Sequence, residues 1–365
     1  MNVFDEFTWE KVLSLYPKKE YKIEEYFKIL SPEQPEFLQK YMNLGIFRRL
    51  KGIGLLCGTD WTNLYKNNFF YSRADHSLGV ALIIWNFTKD KAQTLAGLFH
   101  DVATPVFSHV SDFRRGDALT QSSTEQNTAQ ILQNDFGLKE LLKQDGIGME
   151  EIIDYHKYPV ADNEIPCLSA DRLEYMFPSG MVLEGSWRME EIKNVYNDIS
   201  VLKNEFAKDE LGFNTLEQAQ LYCHRFCMTG HLLQLNENKV TLQMLAQIMT
   251  ESVRQGILQE KDFMECSEKE IICKLDDVLW QGDVRLETLQ KMYRTFRNMG
   301  KVKHTEKPLK NHFCVSLKVK QRYINPLVKT PCGTKRIYDV SPKAKKIIDD
   351  FKLYEDTPFG CVEFL

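Results

Sequence analysis

The chain has 365 residues, more than one small core usually holds, and its 43% hydrophobic and 27% charged residues are ordinary globular usage, which excludes disordered and fibrous classes. A formal net charge of −4 argues against a partner held by bulk attraction to a polyanion, so nucleic acid is not expected, although a local basic pocket stays open. Nine cysteines stand in no regular framework and no apolar run approaches the roughly 20 residues of a membrane helix, so free thiols, a cytoplasmic location and no membrane partner are expected.

The opening segment MNVFDEFTWEKVLSLYPKKEYKIEEYF is acidic and amphipathic, without the basic-then-apolar order of a signal peptide. GIGLL at 52–56 reads as a turn. Residues 75–89 place Leu78, Ala81, Leu82 and Trp85 at helical spacing, and Ser72 with Asp75 fits a capping box opening that helix. The next stretch, DKAQTLAGLFHDVA, repeats the pattern with Leu95, Leu98 and Phe99 inward. Thr104-Pro105 resembles an N-cap followed by proline, which predicts a new helix over PVFSHVSDF. A polar loop follows at 113–127 and leads to a helix at about 125–135. Short helices are expected at 148–157 and 168–177, then long amphipathic helices from 188 to 300.

Beyond Gly300 the pattern changes. Val315, Leu317 and Val319 alternate as in a half-buried strand, and KRIYDVSP is a second strand that could pair with it. The expected architecture is mainly α: a multi-helical bundle over 1–300, with its site core at about 45–180, and a small α+β module over 301–365. No Gly/Pro-rich linker separates the two, so they should pack together.

The chemistry concentrates in separated residues. His76 lies in the first turn of one helix, His100 and Asp101 are adjacent near the end of the next, and Asp171 sits in SADRLEY. One histidine on an apolar face is ordinarily a hydrogen-bonded core residue. The His100-Asp101 pair differs, because it follows the apolar run LAGLF, where two ionisable groups are costly unless paired or metal-bound. Imidazole and carboxylate together suit a divalent cation such as Mn, Fe, Zn, Mg, Co or Ni.

The order H…HD…D with these flanks resembles the HD-domain phosphohydrolase superfamily, and more narrowly its deoxynucleoside triphosphate triphosphohydrolase branch, which includes the sterile-alpha-motif/HD-domain protein. The matching stretches are FRRLKGIG, YSRADHSLGVALI, TLAGLFHDVATPVFSHVSDF, STEQNTAQIL and SADRLEYMF, all between residues 47 and 177. The resemblance implies a multi-helical HD bundle with His76, His100, Asp101 and Asp171 as metal ligands. It implies that Arg73, Arg172 and Tyr175 contact substrate phosphates. His109 would protonate the leaving oxygen, with Asp112 as its acidic neighbour. The implied reaction is attack of a metal-bound hydroxide on phosphorus in a nucleotide, with a (deoxy)nucleoside triphosphate the first candidate and self-association expected. A nucleotidase, a cyclic-nucleotide phosphodiesterase, and a nucleotide-sensing protein with little turnover are the alternatives.

The pattern is departed from twice: Thr104 and Thr124 stand where these relatives usually carry histidines beside the reacting phosphate. A threonine hydroxyl can bond a substrate but does not titrate near pH 7. By their spacing alone, His109 and Asp112 would share a face of a helix starting at Pro105, letting the carboxylate favour the imidazolium. Cys223, His224 and Cys227 lack a second metal-ligating pair and read as helix surface or core. His156 is expected on a loop surface, and Lys318, Lys320 and Arg322 on the solvent face of a strand, with phosphate contact as their alternative role.

Overall fold

The Ser72 capping box forms, and it opens the helix Arg73–Thr88, whose buried face carries His76, Val80, Ile83 and Ile84. The computed structural model describes residues 2–16, 19–119 and 127–365. Asp90 caps the following helix, Lys91–Phe99, and the two pack closely because Gly97 faces Ile84: a Cβ on Gly97 would lie 2.3 Å from Ile84 Cδ1. The third helix of the site, Ala170–Val182, is capped by Ser169 and packs on the first.

Helix does not begin at Pro105, contrary to the spacing. Phe107 and Ser108 take positive φ of 61° and 50°, which no helical residue can hold, so the backbone turns and the helix is only Val110–Arg114. Thr104 is therefore not an N-cap. The expected helix at 125–135 is observed as Thr128–Asn134. Thr124 lies outside the described residues.

The stretch from 188 to 300 is not all helix. Between the helices Met189–Asn197 and Leu216–Leu232 lies an antiparallel hairpin, β1 (Ile199–Lys203) and β2 (Asp209–Phe213). Beyond 300 come β3 (Lys303–Thr305), β4 (His312–Val315), β5 (Leu327–Thr330), β6 (Gly333–Arg336) and β7 (Phe359–Glu363). One sheet has the order β1-β2-β5-β6, with β2 and β5 parallel; the other has the order β3-β7-β4. The expected strand over KRIYDVSP survives only as Lys335 and Arg336 of β6, which pairs with β5 and not with β4; Ile337–Val340 is a short helix. β4 ends at Val315, so Leu317 and Val319 lie in an irregular stretch.

The fold is thus mainly α with two small sheets, the four-stranded one drawing strands from both sides of residue 300. One hydrophobic cluster runs from Phe4 to Val362. Cys314 and Cys361 are joined in a disulfide across β4 and β7, which corrects the expectation of nine free thiols; seven are free. Among the described residues no helix is long and apolar enough to cross a membrane.

Candidate metal centre

His76 and His100 come from two adjacent helices and their rings stand edge to face, 5.1 Å apart. His76 is in the first turn after the Ser72 cap, and His100 caps the C-terminus of its helix. Their ring nitrogens are fixed in matching ways. His76 Nδ1 meets Glu174 Oε2 at 2.5 Å, and His100 Nδ1 meets the Gly97 carbonyl at 2.7 Å. A carbonyl only accepts, so His100 Nδ1 carries a proton and donates, and its Nε2 points the other way.

That nitrogen faces carboxylate oxygens. His100 Nε2 lies 3.7 Å from Asp101 Oδ2 and 3.7 Å from Asp171 Oδ1, while His76 Nε2 lies 3.8 Å and 3.1 Å from the same two atoms. Donor atoms of His76, His100 and Asp101 all fall within 4.8 Å of one another, and all three residues are buried. Two imidazole nitrogens and two carboxylates turned toward one buried point are a donor set that fits a divalent metal. The outer contacts, an imidazole N–H held by a carboxylate or a carbonyl, are those that orient metal-binding histidines.

Glu174 is fully buried and also accepts from Tyr71 at 2.6 Å and Tyr26 at 3.1 Å. It reaches His76 because residue 79 is glycine: a Cβ there would come within 2.4 Å of Glu174 Oε1. Burial disfavours a charged His76, but hydrogen bonds to Asp171 and Glu174 outweigh it and raise its pKa to about 10. Burial likewise works against ionised Asp101, yet Arg73, His100 and His76 hold its carboxyl well below the usual range.

A cavity of about 190 Å³ opens over these ligands, lined also by Arg73, His109, Arg172, Tyr175 and Arg322. Arg73 donates to Asp101 Oδ2 at 2.9 Å and to Ser108 Oγ at 3.0 Å. Arg172 turns toward the 162–167 loop, donating to the Cys167 carbonyl at 2.8 Å and to Asn163, with Asp162 3.2 Å away. Asp171 and Tyr175, four residues apart, both line the cavity. Thr104 is wholly buried, and its hydroxyl donates to Asp101 Oδ1 at 2.9 Å.

His109 does pair with Asp112, Nδ1 to Oδ2 at 3.0 Å, though from the N-cap of a later helix. The expected protonated imidazole is not found. Burial, with the charges of Arg322 and Arg73, outweighs Asp112 and lowers the pKa of His109 to about 4.

Sequence reasoning missed Glu174, whose signal was its i+3 offset from Asp171 on one helix. It set Lys320 and Arg322 on a solvent face, whereas both line the cavity. His156 lies on a surface turn and pairs with Asp162 at 2.9 Å, while Cys223 and Cys227 are buried in a helix.

No protein-family model matches the chain. Among curated proteins, the uncharacterized protein YdhJ of Bacillus subtilis is 22% identical over 242 residues, which is 64% of this chain and 69% of YdhJ. Among solved structures, a phosphohydrolase from Bacteroides thetaiotaomicron superposes with a TM-score of 0.63 at 14% identity, covering 91% of this chain and 97% of its own. A hypothetical protein from Aquifex aeolicus superposes with a TM-score of 0.59 at 15% identity, covering 90% and 92%. At these identities the likeness is one of fold.

Proposed function

We propose that the chain is a metal-dependent phosphohydrolase of the HD type acting on a nucleotide, with a (deoxy)nucleoside triphosphate the first substrate to test. The observation that carries this reading is the convergence of two oriented imidazoles with Asp101 at the floor of a cavity lined by basic side chains. His76, His100, Asp101 and Asp171 would hold the cation, which when bound would make a water more acidic and, by polarising a phosphoryl oxygen, make the phosphorus more electrophilic. Arg73, fixed by Asp101 and Ser108, presents a guanidinium to developing charge on phosphorus. His109 holds its proton on Nδ1 against Asp112, leaving Nε2 turned toward Arg322 and the cavity. To act as the acid it must take up a proton once an anionic substrate is present.

A nucleotide-sensing protein with slow turnover is the second reading. It is favoured by Thr104, whose hydroxyl is committed to Asp101 and which does not line the cavity.

The test is a screen of the full chain with Mn, Mg, Fe and Co against nucleoside tri-, mono- and cyclic phosphates. Released triphosphate, phosphate and nucleoside are read separately. Triphosphate with nucleoside supports the triphosphohydrolase reading, and inorganic phosphate from monophosphates moves it to a nucleotidase. Nucleotide-dependent thermal stabilisation without any product selects the sensing protein.

A further inference from the structure

Arg322 belongs to the irregular stretch between β4 and β5, far in sequence from every other residue of the metal centre. The stretch is tied to the helical part of the molecule on both sides of it. Before it, the Lys320 amide donates to the Ala118 carbonyl at 3.2 Å, and Gln234 donates to the Lys320 carbonyl at 3.0 Å. After it, the Asn325 amide donates to the Pro166 carbonyl at 2.7 Å. These anchors hold the Arg322 side chain in the cavity that contains the candidate ligands.

Three arginines line this cavity. Arg73 is paired with Asp101, and Arg172 with Asp162. Arg322 brings a guanidinium to within 3.5 Å of His109 Nε2. Its charge also acts on Tyr175 and Cys57, on other walls of the cavity. A guanidinium set against an imidazole, inside a cavity that already holds a second arginine, makes a place where an anion is stabilised.

We propose that Arg322 binds a phosphate group of the substrate beside His109. The inference rests on the hydrolase reading above and adds a residue to it. The planar fork of arginine matches phosphate oxygens with two parallel hydrogen bonds, which a lysine in its place would not reproduce. The groups facing His109 are Asp112 on its own helix, Arg322 from the C-terminal stretch, Arg73 from the helix Arg73–Thr88, and Cys57 from the turn before it. A phosphate seated against Arg322 offsets the two guanidinium charges and leaves Asp112 to favour the imidazolium. His109 is then charged with its proton when substrate arrives and is neutral without it.

The experiment uses the full chain loaded with Mg and inorganic pyrophosphate as the probe. Affinity is measured by calorimetry for the wild type, Arg322→Gln and Arg322→Lys, after circular dichroism and metal titration show each to be folded and loaded. Arg322→Gln is expected to weaken pyrophosphate about 10- to 100-fold, the range of a hydrogen-bonded charge, and Arg322→Lys to recover part of the loss, with Mg affinity unchanged. The His109 ring protons, assigned in proton NMR by comparison with His109→Gln, should titrate at higher pH in Arg322→Gln, and in the wild type when pyrophosphate is added. Pyrophosphate binding by Arg322→Gln within twofold of the wild type would overturn the Arg322 assignment alone. A wild type that holds Mg but binds no pyrophosphate would overturn the hydrolase reading with it. Should Arg322→Gln fail to fold, Arg322→Lys decides: affinity equal to the wild type counts against the assignment.

Discussion

His76, His100 and Asp101 meet in the helical half of the molecule, and Glu237, His304 and Asp356 meet where β3 lies near the start of the helix Asn236–Arg254; in each group the donor atoms lie within 4.8 Å of one another. The residue types are alike, but the hydrogen bonding is not. His304 donates from Nδ1 to Asp356 at 2.8 Å and from Nε2 to Glu237 at 2.9 Å. Those bonds to Asp356 and Glu237 raise its pKa to about 10 against the opposing effect of burial. It is an imidazolium clasp with no ring nitrogen left over for a metal. In the first group His76 is likewise bracketed by Glu174 and Asp171, but His100 turns one nitrogen to a backbone carbonyl and the other to two carboxylates, neither within hydrogen-bond distance. Proximity of donor atoms therefore does not by itself distinguish a cation site from an ion pair; the difference between the two groups is His100, whose Nε2 faces carboxylates without bonding either.

The largest effect expected from this contrast is on metal content. Asp101→Ala should lower bound metal from about one ion per chain to none detectable by elemental analysis, whereas Asp356→Asn should leave it unchanged. Equal loss in the two variants would erase the distinction. Glu174→Gln keeps the shape but weakens the hold on His76. A 10- to 100-fold fall in metal affinity is expected in chelator competition, and an unaltered affinity would show that Glu174 does not orient the ligand.

Thr104→His tests whether an imidazole restored at that position helps. Because Thr104 is wholly buried and bonded to Asp101, the larger ring should destabilise the fold by about 1–3 kcal/mol in urea melts without raising turnover. A faster, equally stable variant would mean that the ring enters the cavity.

The smallest effect belongs to His304. Its folded pKa is raised above the ordinary histidine value of 6.5, so the stability it contributes is complete below about pH 6.5 and is lost as pH climbs toward 10. With its side chain one-third exposed, screening limits this to about 1 kcal/mol. His304→Gln should thus be less stable than the wild type at pH 6 and indistinguishable from it near pH 10.5. A pH-independent gap between their unfolding curves would contradict the clasp.

Local signals carried much of the fold. Ser72 and Asp75 make their capping box within four residues of chain, and the periodicity of 75–89 and 90–103 needed no distant partner to be read. The hairpin β1–β2 was hidden because mixtures of apolar and charged residues continue through 188–215, and β2 is completed by pairing with β5 from beyond residue 300. Pro105 misled for a related reason: its helix-starting geometry is local, but the left-handed turn at Phe107 and Ser108 is held by packing, with Ser108 bonded to Arg73 and to the Gly54 carbonyl.

The sequence by itself determined which residues could carry the chemistry, since His76, the His100-Asp101 pair and Asp171 stand on helices whose apolar faces must be buried, and burial makes lone ionisable groups costly. Only the tertiary structure decided how those residues are used. Glu174 under His76, Arg73 on Asp101, and Arg322 beside His109 are meetings between segments distant in the chain. Such meetings set tautomer and charge through fields that fall off within a few ångströms, a distance no spacing along the chain specifies.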